Sequence, residues 1–166
     1  MKIIKILFII ICISFLNNTY ASIIKTSVSS KYFDIFSKPI LMNEDHKYLA
    51  AVFSARDNKE KVSNKMLIFN IEELPFLPKG KGNKIINIPT KSFNEGKEYM
   101  MDICCLAEDS QLHIHHQGKT GGKSWTLKEL EGYFSVRAKR GKVLPSGYNG
   151  QIKLQEIIKA TEADLG

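Results

Sequence analysis

The residues best suited to chemistry in this sequence are cationic and lie beside glycines. Lys79, Lys81 and Lys84 alternate with Gly80 and Gly82 in one run, and Lys119 and Lys123 lead to a second in which Arg137, Lys139, Arg140 and Lys142 surround Gly141. Glycines shape such loops and let backbone amides approach an anion, while the basic side chains supply charge. Arginine grips phosphate bidentately and lysine acts as a point charge. The expected ligand is a polyanion. A nucleoside triphosphate is excluded as the ligand of residues 79–84, because the spacing G-x-x-x-x-G-K-[ST] is absent.

Other candidates carry less. His113 and His115 lie two apart, so on a strand they share one face, a spacing that metals use, with His46, Cys104 or Asp102 as a third ligand. The simpler reading puts Leu112 and Ile114 on the buried face and the histidines on the wet one, with no metal and no cofactor. Ser124, Ser135 and Ser146 stand in no nucleophile-elbow pattern. Cys104 and Cys105 are adjacent and point to opposite faces of a strand, which argues against a disulfide between them.

Charge is segregated along the chain. The 166 residues carry 24 Lys and Arg against 17 Asp and Glu, a formal net charge of +7. Residues 79–91 are net +4, residues 92–118 net −4 and residues 119–142 net +5. Clustered positive charge of this kind attracts a polyanion by releasing its counterions, without reading sequence.

The elements that position these groups repeat. Leu74 and Leu130 are 56 residues apart, as are Pro89 and Pro145, and each interval holds a basic glycine loop. Such a period suggests stacked supersecondary units. Apolar runs flanked by turn residues predict strands at Tyr48–Ala55, Lys65–Ile71, Lys84–Ile88, Tyr99–Leu106, Gln111–His116, Lys123–Leu127 and Gln151–Ile157. A helical turn is expected at Leu127–Phe134. Short strands with Gly and Pro punctuation argue for an all-β fold.

Residues 65–158 resemble the end of the C-terminal DNA-wrapping domain in the A-subunit of bacterial topoisomerase IV and, more distantly, that in the A-subunit of gyrase. The resemblance rests on Lys65 through Phe69, Glu73-Leu74-Pro75, Lys79 through Pro89, Leu112 through His115, Leu127 through Leu130, Arg137 through Gly141, Leu144-Pro145 and Gly147-Tyr148. It implies a β-pinwheel, a propeller variant whose neighbouring blades exchange strands. This chain has room for about two blades of short antiparallel strands, so the expected fold is a truncated pinwheel with an exposed apolar side and possible self-association at a blade edge. The resemblance also implies a non-catalytic module. The DNA-cutting tyrosine of the family belongs to a domain this chain lacks, and the basic motif that lets gyrase wrap DNA strongly is absent.

The N-terminus points elsewhere. Met1 through Lys5 is basic, Ile6–Leu16 is an uncharged apolar run of 11 residues, and Asn17 through Ala21 is polar with a small final residue. This is the layout of a secretory signal peptide cleaved after Ala21. The run is shorter than the roughly 20 residues of a membrane span, so no stable span is expected after cleavage. The expected organisation is a signal peptide at 1–21, a linker or partial strand at 22–46, a two-blade domain at 47–158 and a tail at 159–166. The expected location is periplasmic or secreted, although the family resembled is cytoplasmic.

These readings combine into an exported, sequence-independent binder of duplex DNA or another polyanion. The residues expected to carry binding are Lys79, Lys81, Lys84, Lys119, Lys123, Arg137, Lys139, Arg140 and Lys142, with Gly80, Gly82 and Gly141 shaping the backbone. The alternative is an exported interaction protein that uses the same fold to bind a protein or envelope polymer.

Overall fold

The computed structural model describes residues 23–24, 40–57, 59, 61–74, 84–116 and 121–158. The expected signal peptide and tail lie outside these residues, as do Lys79, Gly80, Lys81, Gly82 and Lys119. Of the expected linker, strand β1 (Ile23–Ile24) pairs antiparallel with β2 (Ile40–Leu41).

Two antiparallel sheets make up the body. The first has the order β5-β3-β4-β8, from β3 (His46–Arg56), β4 (Val62–Asn70), β5 (Glu98–Ala107) and β8 (Lys142–Val143). The second has the order β7-β6-β9, from β6 (Gln111–His116), β7 (Gly122–Thr126) and β9 (Ile152–Ile157). The sequence run Leu49–Ala55 is apolar without alternation except at Ser54, and all seven residues are buried. A strand in the middle of a sheet covered on both faces requires this pattern.

Each face of the first sheet has its own core. Ala50, Val52, Met66 and Ile68 meet Leu112, Ile114 and Ile152 of the second sheet, with Leu130, Tyr133 and Leu144 closing the cluster. Leu49, Ala51, Phe53, Ala55, Leu67 and Phe69 point the other way and pack against Ile86, with Met42, Ile71, Leu74, Ile85 and Ile88 at the margin. The expected exposed apolar side is therefore not found among the described residues. The segment around Ile86 folds back over that face, which removes its apolar area from water. Exposed large apolar side chains among the described residues are Val136, Val143, Ile157 and Ile158.

The same segment corrects one expected strand. Lys84–Ile88 joins no sheet; Asn87 N–H donates to the Lys139 carbonyl at 3.1 Å and Ala138 N–H to that of Ile85 at 2.9 Å. Its backbone is satisfied by the second basic loop instead of a strand partner. A single helical turn, α1 (Thr90–Asn94), follows Pro89.

Edge strands β5 and β9 of the two sheets are tied by carboxylates. Asp102 Oδ2 accepts from Leu154 N–H at 2.7 Å, and Glu156 Oε1 accepts from Ala107 N–H at 2.6 Å. The second oxygen of Glu156 meets His46 Nε2 at 2.8 Å. These bonds occupy backbone donors that an open edge would otherwise present for pairing.

The 56-residue period is visible in the capped turns. Asn70 ends β4 and its side chain accepts from Glu72 N–H at 2.9 Å. Thr126, 56 residues later, ends β7; its hydroxyl accepts from Glu129 N–H at 3.3 Å and Glu129 Oε2 accepts from Thr126 N–H at 2.8 Å. The second turn is a reciprocal capping box, T-x-x-E. The expected helical turn at Leu127–Phe134 is present as this turn and a 3-10 segment, Glu131–Tyr133.

Candidate nucleic-acid interface

The second basic loop is moulded onto β4. Ser135 N–H donates to the Ile68 carbonyl at 2.9 Å, and β8 pairs Val143 with Lys65 and Lys142 with Met66. Between them Gly141 has φ +64°, and a Cβ there would lie 2.6 Å from the Met66 carbonyl oxygen. Only glycine combines that conformation with that approach. Ala138 also has positive φ, 62°, which an L side chain tolerates poorly. Beyond β8, Leu144 N–H bonds the Asn64 carbonyl at 2.8 Å, and the buried Asn64 Nδ2 donates to the carbonyls of Tyr148 and Gly150 at 2.6 and 2.7 Å.

The arginines and lysines expected to act together divide in two. Arg137 turns inward: its backbone N–H bonds Glu73 Oε2 at 2.6 Å, Nε bonds the Glu73 carbonyl at 3.0 Å and Nη1 bonds the Lys84 carbonyl at 2.6 Å. Arg140 Nη2 donates to Glu98 Oε1 at 2.6 Å, and Glu98 is buried. Both guanidinium groups thus hold the loop in place. Lys84 and Lys139 are exposed, on segments joined by the Ile85–Ala138 and Asn87–Lys139 backbone bonds.

Lys142 lies 5.9 Å from the Tyr133 ring centre and Lys123 5.2 Å from that of Trp125. Lys123 also pairs with Glu129 at 3.2 Å. The Thr126 N–H, then the Lys123 ammonium, hold the Glu129 carboxyl below its ordinary range. Part of the Lys123 charge is therefore answered within the chain.

The histidines sit as the alternation implies. Leu112 and Ile114 are fully buried and His113 and His115 are on the opposite face of β6. Among the described residues no three His, Cys, Asp or Glu side chains converge as a metal site would require. His113 Nδ1 lies 2.8 Å from Ser124 Oγ, but its other titratable neighbour is His115 rather than an orienting carboxylate, so the pair lacks the third member of a triad. Cys104 and Cys105 are free thiols that face the two different cores. Burial, reinforced by the Glu156 charge, pushes both up to about 12, which suppresses thiolate chemistry.

Sequence reasoning missed Asn64, Glu73 and Glu98, the acceptors and anchors that shape the loops. Their partners lie 42 to 86 residues away, so no local spacing marks them. The capping box at Thr126 was detectable from T-x-x-E alone.

The architecture is an all-β fold of the β-pinwheel type. The E. coli ParC C-terminal domain superposes with a TM-score of 0.58 and 27% identity, over 73% of this chain and 44% of that one. The chain is homologous to the C-terminal region of the topoisomerase IV A-subunit. It is 37% identical over 86 residues to the DNA topoisomerase 4 A-subunit of Pseudomonas aeruginosa, covering 51% of this chain and 11% of that protein. It is 32% identical over 108 residues to the Salmonella typhimurium and Escherichia coli proteins of the same name, covering 64% of this chain and 13% of each. The chain thus spans 11 to 13% of the length of these relatives. No family model matches it. No helix among the described residues is long and apolar enough to cross a membrane.

Proposed function

We propose that the chain is a non-catalytic module that binds duplex DNA through phosphate contacts, without base readout. The observation that carries this reading is the backbone pairing of residues 85 and 87 with 138 and 139, which brings the two basic segments side by side. One segment is net +4 and the other net +5, and exposed Lys84 and Lys139 stand at the junction. Lys79, Lys81 and Lys119 extend the same segments in sequence. In this reading lysines make the phosphate contacts, Arg137 and Arg140 position them, and Gly141 sets the loop. The homology to the DNA topoisomerase 4 A-subunit supports DNA as the polyanion. The layout of residues 1–21 supports export as part of the same reading.

Fluorescence anisotropy of the chain with a labelled duplex of random sequence, at several salt concentrations, tests it. Affinity is expected to fall steeply with salt, and Lys84→Glu with Lys139→Glu to weaken binding on every sequence and to reduce the salt slope by about 1 per lysine lost. Binding that ignores both salt and these substitutions would overturn the proposal.

A second reading has one observation in its favour. Val136 and Val143, on the second basic loop and β8, are 54% and 51% exposed. An exported interaction protein would use these exposed apolar side chains against a protein or envelope polymer, and would show no DNA affinity even at low salt.

A further inference from the structure

The face of the second sheet that turns away from the core carries a separate group of residues. Register places His113 between Ser124 of β7 and Gln155 of β9, and His115 between Gly122 and Lys153. Gln111, Thr126 and Ile157 complete this face, and it presents no carboxylate. Nearby acids are engaged elsewhere: Glu129 bonds Thr126 and Lys123 at the β7 end, and Glu156, on the other face of β9, bonds His46 and Ala107. His116 turns to the core side, where its ring meets Tyr148.

The two imidazoles lie with ring centres 4.2 Å apart and their planes tilted by 59°. Each has one nitrogen held by a neutral partner, His113 Nδ1 by Ser124 Oγ at 2.8 Å and His115 Nε2 by Gln155 Oε1 at 3.0 Å. The other nitrogens, His113 Nε2 and His115 Nδ1, are those the face would present to a ligand. A Cβ on Gly122 would lie 2.6 Å from His113 Nε2 and 2.8 Å from the Ile114 carbonyl oxygen, so glycine there is what lets the His113 ring lie close over β7. Two like-charged rings at this separation repel, and an anion seated against both relieves the repulsion.

We propose that this face is a second, acid-activated site, at which protonated His113 and His115, with Lys153, bind a phosphate group, either the free ion or a phosphodiester. Burial, and then the neighbouring His115, hold His113 below its ordinary range, so the site fills only under acidic conditions.

Histidine NMR titrations of the full chain in chloride and in inorganic phosphate test the site. Phosphate is expected to raise the midpoints of His113 and His115 and to leave those of His46 and His116 in place. Affinity for inorganic phosphate is expected to rise about tenfold between pH ~7.5 and ~5.5, and less in Lys153→Gln. Identical midpoints in the two salts would overturn the proposal. Charge reversal at Lys84 and Lys139 leaves the histidine response intact, which separates this site from the loop interface. The labelled duplex then identifies the source: movement of the same two midpoints assigns a phosphodiester, and movement with inorganic phosphate alone assigns the free ion. His115→Gln, on the exposed face, removes the effect without opening the core.

Discussion

Arg137 donates from Nη1 to the carbonyl oxygen of Lys84 at 2.6 Å, a bond between residues 53 apart that joins the two basic loops. A cation expected to contact a ligand is thus a structural staple, whose hydrogen bonds to the Glu73 and Lys84 carbonyls fasten the second loop to the first.

Arg137→Ala removes two side-chain hydrogen bonds to carbonyl oxygens. A loss of about 2 to 3 kcal/mol in stability is expected, measured by urea unfolding. Arg137→Lys should recover little of it, because an ammonium cannot reach both carbonyls from one planar group. If Arg137→Lys proves fully stable, the staple is not geometric.

Gly141→Ala forces a Cβ against the Met66 carbonyl at positive φ, and should lower stability by about 2 kcal/mol or more. Ala138→Gly should act in the opposite direction, raising stability by up to about 1 kcal/mol because φ of 62° is strained for alanine. Thermal melts of the two variants, compared with the parent chain, check the pair of signs.

The shift on His113 predicts a pH dependence in chloride. Its folded value is depressed below the ordinary 6.5, so the unfolded chain takes up the proton first. Stability is therefore complete above the ordinary value of 6.5 and is lost as pH falls from there toward the depressed folded value. His113→Gln should flatten this acid-side decline in a series of urea melts. A decline of unchanged steepness would place the coupling on other groups.

Cys104 and Cys105, with thiols pushed up to about 12 inside two cores, should resist a disulfide-exchange reagent at mildly alkaline pH. Both should react promptly in denaturant. Fast labelling of the native chain would show that the β5 edge opens.

Most strands were legible because their cause is local. Leu49–Ala55 reads as a doubly covered strand from its apolar continuity, and Leu112 and Ile114 alternate with His113 and His115 as a half-buried strand must. Expected boundaries moved by one to three residues where strand pairing ran past the apolar run, as at His46–Arg56 and Val62–Asn70. Lys84–Ile88 was misread as a strand because its β-branched residues report burial and do not specify a partner. Ile86 is buried, but under the first sheet's face rather than in its ladder.

The sequence by itself determined the all-β character, the period of 56 residues, the basic glycine loops and the face on which the histidines lie. These follow from residue type and short spacing. Only the tertiary structure decided which cations are committed within the chain: Arg137 is bonded to the Glu73 and Lys84 carbonyls and Arg140 to the Glu98 carboxylate, while Lys84 and Lys139 stay exposed. The physical reason is that a side chain's direction depends on the acceptors brought to it by folding. Here those acceptors come from 42 to 64 residues away.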